Sequence, residues 1–170
     1  MKEYKIEEKE IFSLLTTKQI AEISDAAQIK FFDENDIIYD QKEQAKNMFI
    51  LLEGEVALRL PSRTDMSVNK FSLELERFSG HGTVFGANSL FGIKRYVTRA
   101  RATKSSKVMI LDTEEFFGII QKNKSEFPIM SYLAKIYFQR YIHAMKEFEQ
   151  QIKERSAVTV WLKQINLIWL

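Results

Sequence analysis

The sequence predicts an α+β protein: an antiparallel sandwich, barrel or roll of short strands, flanked by short helices and followed by a long C-terminal helix. Short segments rich in β-branched and aromatic residues are separated by turn-like stretches such as "DEND" and "SGHG". After Leu111 the spacing of apolar residues changes to three and four, the period of an α-helix. Many closely spaced strands argue against a parallel α/β sheet.

The first helix is predicted within "TTKQIAEISDAAQIKFF". Thr16 and Gln19 stand at the spacing of a capping box, in which two side chains satisfy free amides at a helix start. Ile23 and Ala27 lie on the face that is expected to pack against the core.

Six short segments after this helix have the composition of strands. Within "LEGEVALRL", Val56 and Leu58 alternate with Glu55 and Arg59, which is typical of a half-buried strand. The six segments are "DIIYD", "MFILLEGEVALRL", "FSLELERF", "GTVFG", "YVTRARA" and "KVMIL".

Two helices are predicted after Leu111. Asp112 and Glu115 have capping-box spacing before the first, and Ser125 can cap the second, with Pro128 in its first turn. Apolar residues along the second helix alternate in steps of four and three, which predicts a coiled-coil seam and a homodimer. One amphipathic helix packed on its own sheet is the alternative. The seam residues are Ala134, Phe138, Tyr141, Met145, Phe148 and Ile152.

Composition and motifs exclude several classes of protein. The 170 residues include no cysteine, so disulfides and thiolate metal sites are excluded, and a net charge of +2 argues against a generally polybasic nucleic-acid binder. No apolar run approaches the roughly 20 residues of a membrane span, and the charged start is unlike a secretion signal, so a cytoplasmic protein is expected. The two histidines form no metal motif and no G-x-S-x-G elbow occurs, so the protein is not expected to be an enzyme.

The order of short helix, strands and long helix, over about residues 10–155, resembles the cyclic-nucleotide-binding fold of the Crp/Fnr transcription regulators. "FDENDIIYDQKEQAKNMFILLEGEVAL" is similar to the family's first strands, and "SGHGTVFGANSLFG" to its phosphate-binding cassette. "RYVTRARATKSSKVMILDTEEF" is similar to the last strands and the following helix. The resemblance implies a jelly-roll-like antiparallel β-roll, a long dimerisation helix and a winged helix-turn-helix beyond it.

This resemblance also divides the chain. Residues 1–124 would form the β-roll sensory domain and residues 125–155 the long dimerisation helix. Residues 156–170, which end on apolar side chains, would start a truncated C-terminal helix-turn-helix domain that binds DNA.

The cassette implies a ligand pocket. Gly86 would let the backbone approach the ligand, and Arg95 would grip an anion. Nucleotide-binding members carry a glutamate directly after this glycine, and here the residue is Ala87, which offers no carboxylate to a ribose hydroxyl. The pocket residues predicted are Phe85, Gly86, Ala87, Asn88, Ser89, Arg95, Tyr96, Thr98 and Tyr141.

An apolar cofactor suits such a cassette better than a sugar, and some members of the family sense gases through haem. The candidate axial ligands are His143, Met145 and Met66, with His143 alternatively an exposed helix residue. The resemblance therefore implies the sensor domain of a bacterial transcription regulator, with haem for sensing nitric oxide and nitrosative stress as the expected effector. A cyclic-nucleotide-responsive regulator and a ligand-free dimerisation or interaction module are the alternatives.

Overall fold

A computed structural model describes residues 11–60 and 73–168, with side chains at 11–60, 74–150 and 152–153. These described residues form six strands and three α-helices, with short 3-10 turns at Ile11–Leu14 and Asn88–Phe91. The elements in chain order are α1 (Thr17–Ala26), β1 (Gln28–Phe32), β2 (Ile37–Tyr39), β3 (Asn47–Leu60), β4 (Leu73–Phe78), β5 (Thr83–Phe85), β6 (Arg99–Asp112), α2 (Thr113–Lys122) and α3 (Glu126–Ile168).

The strands form one antiparallel sheet in the order β1-β6-β3-β4, with β2 paired to β6 and β5 paired to β3. β3 and β6 are its long central strands, and their register shifts repeatedly between Leu51 and Val56. Gly54 lies in this irregular stretch with φ of +97°, and a Cβ there would stand 2.4 Å from the Ser105 carbonyl oxygen, so only glycine fits. The α+β fold with a β-roll and a long last helix is confirmed.

Two cores lie on opposite faces of the sheet. On β3, Phe49 and Leu51 point into the roll core, whereas Met48 and Ile50 point into the helix core. The roll core is rich in stacked aromatic rings, among them Tyr39, Phe85 and Tyr96. The helix core joins the outer face of the sheet to the helices. Both faces of the long strands are therefore buried.

The helix starts agree with the local signals. Thr16 and Gln19 form the reciprocal capping box at the start of α1. Asp112 caps α2 by accepting hydrogen bonds from the amides of Glu114 and Glu115. These caps depend on side chains within one turn, and this makes them predictable from sequence.

Two predicted elements differ from the structure. The tail "QIKFF" of the first predicted helix is β1, which pairs with β6 from Gln28 opposite Ile110 to Phe32 opposite Ser106. "YVTRARA" and "KVMIL" were expected as two strands, and Arg99–Asp112 is one continuous strand. In both cases long-range pairing overrides the local pattern.

The long helix α3 begins at Glu126, with Pro128 in its first turn as predicted. Ser125 does not cap it through its side chain: the hydroxyl donates to the Ile120 carbonyl at 3.1 Å and accepts from the Gln19 amide. This serine instead joins α1 to the α2–α3 turn.

The helix α3 continues through residues 155 and 156 without a break. The division of the chain at that point therefore stays a prediction. Within the described part of the chain, no helix has the length and hydropathy needed to cross a membrane.

Candidate ligand-binding site

A cavity of about 370 Å³ lies between the roll and α3. Its volume is at the lower end of the roughly 300–1,000 Å³ of small-molecule pockets. The roll contributes apolar side chains that include Leu58, Leu60, Leu75 and Val97. The helix contributes residues spaced by one, three or four, so they form one face of α3. These helix residues are Tyr137, Arg140, Tyr141, Ala144, Met145 and Phe148.

The charged residues among those lining the cavity are Glu76 of β4 and Arg140 of α3, which form an ion pair through Oε2 and Nε. Arg140 also donates from Nη1 to the Val84 carbonyl at 2.7 Å. Its guanidinium lies 5.3 Å from the centre of the Phe78 ring and 5.7 Å from that of Tyr137. The Arg140 side chain is only 12% exposed, so this pair ties α3 to the roll in a largely dry environment.

The predicted cassette lies beside this cavity, but only part of it lines the wall. Gly86, Asn88, Thr98 and Tyr141 do line it. Gly86 has φ of +68°, and an added Cβ would stand 2.6 Å from the Phe49 ring, so a glycine is required here for packing.

The other predicted pocket residues face elsewhere. Phe85 and Tyr96 belong to the roll core, and Ala87 belongs to the helix core. Ser89 lines a separate surface cleft beside α2. Arg95 is exposed, and its guanidinium donates to the Lys42 carbonyl instead of lining the cavity. The anion grip expected of Arg95 therefore stays a prediction, and in this geometry its side chain is not among the residues that line the cavity.

The candidate axial ligands are not gathered at the cavity. His143 is exposed on α3 and is not among the lining residues, whereas Met145 is. Met66 lies outside the described residues. His81 is a turn residue whose Nδ1 lies 2.7 Å from the Leu52 carbonyl oxygen. In the described ranges, no three histidine or acidic side chains are grouped to hold a metal ion.

The predicted seam residues form an exposed apolar face on α3. Phe138 is 64% exposed and Ile152 is 48% exposed, values unusual for such large apolar side chains. Three seam residues, Tyr141, Met145 and Phe148, also line the cavity. The open side of the cavity is therefore continuous with the seam.

Sequence reasoning missed the residues that give the cavity its charge. Arg140 belongs to no sequence motif, and Glu76 lies within the strand-like segment "FSLELERF". The available signal was spacing: Arg140 stands three residues after Tyr137 and four before Ala144, within an apolar face. A cation inside an apolar stripe needs a partner from another element.

Burial also changes the acidity of three tyrosines near the site. Desolvation raises the pKa of Tyr39, partly offset by its hydrogen bond with Thr98, and raises the pKa of Tyr96 to about 12. The pKa of Tyr137 is raised by burial too, with the Arg140 charge opposing the shift. Each of these hydroxyls is therefore held in its neutral form.

We expect the free energy of unfolding to fall as the pH rises above about 10. The folded pKa values lie above the unfolded value of 10.0. The stability from the neutral hydroxyls is therefore complete below pH 10 and is lost toward pH 12, at up to about 1.4 kcal/mol per group and pH unit. Urea unfolding across this range measures the slope, and Tyr39→Phe should reduce it. A slope unchanged by Tyr39→Phe would show that the Tyr39 hydroxyl does not contribute to this pH dependence.

Comparison with known proteins identifies what this geometry resembles. The model of the cyclic nucleotide-binding domain family matches residues 29–123. A search of functionally curated proteins found no match. The family match covers the strands from β1 to β6 together with α2.

Solved structures resemble the chain beyond the family match. The catabolite activator protein of Thermus thermophilus has a TM-score of 0.63 at 17% identity, over 84% of this chain and 63% of that one. The sensor domain of the transcriptional regulator DNR from Pseudomonas aeruginosa has a TM-score of 0.62 at 20% identity, over 77% of this chain and 83% of that one. The regulatory domain of Toxoplasma gondii PKA, solved with cAMP, has a TM-score of 0.59 at 17% identity, over 76% of this chain and 45% of that one. The chain spans less than two thirds of the Thermus protein's length.

Proposed function

Because this chain belongs to the cyclic nucleotide-binding domain family, we propose that it is the effector-sensing, dimerising part of a bacterial Crp/Fnr-type transcription regulator. The main support for this proposal is the cavity between the roll and α3, because a ligand there would contact both the sensing roll and the dimerising helix. The likeness in fold to the Thermus catabolite activator protein and the DNR sensor domain supports the assignment. The domain is non-enzymatic and acts in the cytoplasm.

The cavity favours an apolar effector over a cyclic nucleotide. A nucleotide needs an acceptor for its ribose hydroxyl and a cation for its phosphate. Ala87 supplies no carboxylate and is fully buried, and Arg95 is bound to the Lys42 carbonyl. The cavity wall is instead mostly aliphatic and aromatic. An unsatisfied ribose hydroxyl would cost about 1–3 kcal/mol.

Cyclic nucleotides remain the alternative effector, and one observation favours them. Arg140 places a guanidinium in the cavity, and a guanidinium can bind phosphate. A nucleotide-responsive protein of this kind would hold the phosphate from the helix instead of from the cassette.

Haem, the effector that the sequence predicts, fits the described residues poorly. Met145 lines the cavity, but the imidazole of His143 does not. Arg140 offers a cation for one propionate. The thioether of Met145 alone is a weak axial ligand for haem iron, so we rank haem below a metal-free apolar effector. Addition of haemin tests this order: a sharp Soret band that changes with nitric oxide would reverse it.

The residues shared by the cavity and the seam would couple effector binding to DNA binding. Tyr141, Met145 and Phe148 line the cavity and are exposed within the predicted seam, so in a dimer they would contact both a ligand and a second copy of α3. An effector that binds one relative pose of two subunits more tightly shifts the balance toward that pose. The helices then reposition DNA-binding domains attached beyond them.

Thermal unfolding with two ligands tests the proposal. Phenylnaphthylamine, an apolar aromatic amine, is expected to raise the melting temperature by about 5–10 °C at a hundred times its Kd. Cyclic AMP at millimolar concentration should raise it by less than about 1 °C. Ala144→Phe fills the cavity and should abolish the response to phenylnaphthylamine. Stabilisation by cyclic AMP alone would favour the nucleotide alternative, and no response to any ligand would favour an interaction module.

A further inference from the structure

One edge of the buried arginine in the cavity is unused. Arg140 Nε faces Glu76, and Nη1 donates to the Val84 carbonyl. Nη2 is buried and has no hydrogen-bond partner among the residues that the structure describes. Buried guanidinium donors are almost always satisfied, because leaving them unpaired is costly.

The surroundings of Nη2 select the kind of group that would satisfy it. Arg140 is one of the residues lining the cavity, and the rings of Phe78 and Tyr137 lie close to its guanidinium. Nη2 is closed to water in this structure, so an acceptor in the cavity can pair with it only after a shift of the guanidinium. Such an acceptor would be attached to a body that contacts Leu58, Leu75 and the aromatic residues of the wall. Charged acceptors form the strongest hydrogen bonds to arginine, and low water access strengthens them further.

We propose that Arg140 binds the acidic head group of an otherwise apolar effector, and that Glu76 competes with that group for the guanidinium. This inference rests on the proposed function, in which the cavity is the effector site. It assigns the anion anchor to the long helix and not to the cassette arginine, Arg95. An effector acid on Arg140 weakens the tie between β4 and α3 that Glu76 provides.

The role of Glu76 follows from charge. A second acid beside Arg140 would lie close to the Glu76 carboxylate, and the two would repel each other in a site with little water. Removing the Glu76 charge should therefore tighten the binding of an acidic ligand much more than that of a neutral ligand. A glutamine at this position keeps the shape and one acceptor oxygen.

Two fluorescent probes with nearly the same apolar body test the proposal on the full chain. Anilinonaphthalene sulfonate carries an acid, and phenylnaphthylamine does not. Their Kd values are measured for the natural protein, for Glu76→Gln, and for Glu76→Gln combined with Arg140→Gln. The double variant leaves no buried charge unpaired, which protects its folding.

For the sulfonate probe we expect Glu76→Gln to bind about tenfold more tightly than the natural protein. The double variant should bind it about ten- to a hundredfold more weakly than Glu76→Gln. The Kd of phenylnaphthylamine, which carries no acid, should change by much less than the Kd of the sulfonate probe across the three proteins. If Glu76→Gln and the double variant bind the sulfonate probe equally well, Arg140 is not the anion anchor. A parallel change in the Kd values of both probes would contradict the anchor as well.

Ala144→Phe separates this inference from the proposed function. It should exclude both probes, since Ala144 lines the cavity. Binding of the neutral probe that survives this change would contradict the cavity as the ligand site, and with it the proposed function. If Ala144→Phe excludes the neutral probe but sulfonate binding is indifferent to Arg140, only the anchor is contradicted.

Discussion

Replacing Arg140 by methionine is expected to lower the free energy of unfolding by about 3 kcal/mol, because it breaks the largely buried ion pair between Arg140 and Glu76. The estimate takes the lower end of the usual cost of breaking a buried ion pair, since Glu76 is still 21% exposed. Methionine retains an unbranched apolar stem, so little of the loss comes from packing. The melting temperature should fall by about 6–12 °C in a chain of this size.

A double-mutant cycle identifies the cause of this loss. Glu76→Met combined with Arg140→Met removes both charges and should recover most of the stability, because two apolar side chains can replace a buried pair at little cost. Arg99→Met is the matched control: its pair with Asp40 is more exposed, at 37% and 31%, and should cost less than about 1 kcal/mol. If the double variant is no more stable than Arg140→Met, the loss comes from missing contacts and not from an unpaired charge.

The fold was predictable where the signals are local. Alternating apolar residues, turn residues and helix caps act over a few positions, so the strands β2 to β5 and the starts of α1 and α2 could be predicted. β1 was missed because its apolar residues continue the pattern of α1. On β1, Phe32 is buried while Phe31 is 73% exposed, and only pairing with β6 makes this segment a strand.

The division of β6 into two predicted strands has a similar cause. "TKSS" separates the two predicted strands in the sequence, yet Ser106 lies within β6 opposite the irregular stretch of β3. Its hydroxyl accepts from the Glu55 amide at 3.0 Å, and lies 3.1 Å from the Glu55 carbonyl oxygen. A serine here satisfies backbone groups that the register shift near Gly54 leaves unpaired. Such a role depends on the partner strand and cannot be inferred from the segment alone.

The candidate site was predictable only in outline. The cassette glycine Gly86 and the helix residue Tyr141 line the cavity as expected. The residues that set its charge, Glu76 and Arg140, become neighbours only when α3 packs over β4. A single sequence carries no signal for that pairing beyond a cation in an apolar stripe. Arg95 follows the cassette in sequence, but its guanidinium donates to the Lys42 carbonyl.

Placing lysine at Phe138 and at Ile152 together is expected to convert the proposed dimer into monomers. Both side chains belong to the seam and neither lines the cavity, so the change separates dimerisation from the shape of the ligand site. Four half-exposed apolar side chains per dimer would lose their burial, which weakens association by about 4 kcal/mol, or roughly a thousandfold. Light scattering after size exclusion measures the mass.

The matched control is Phe127→Lys, because Phe127 is 81% exposed on the same helix but lies outside the seam, and this variant should remain dimeric. Since the open side of the cavity is continuous with the seam, the monomeric variant should also bind phenylnaphthylamine more weakly, although every residue lining its cavity is unchanged. A monomer with full affinity would mean that each cavity works alone, and the proposed route from effector to DNA would then be wrong. A dimer that persists with both lysines would show that α3 does not pair through this face.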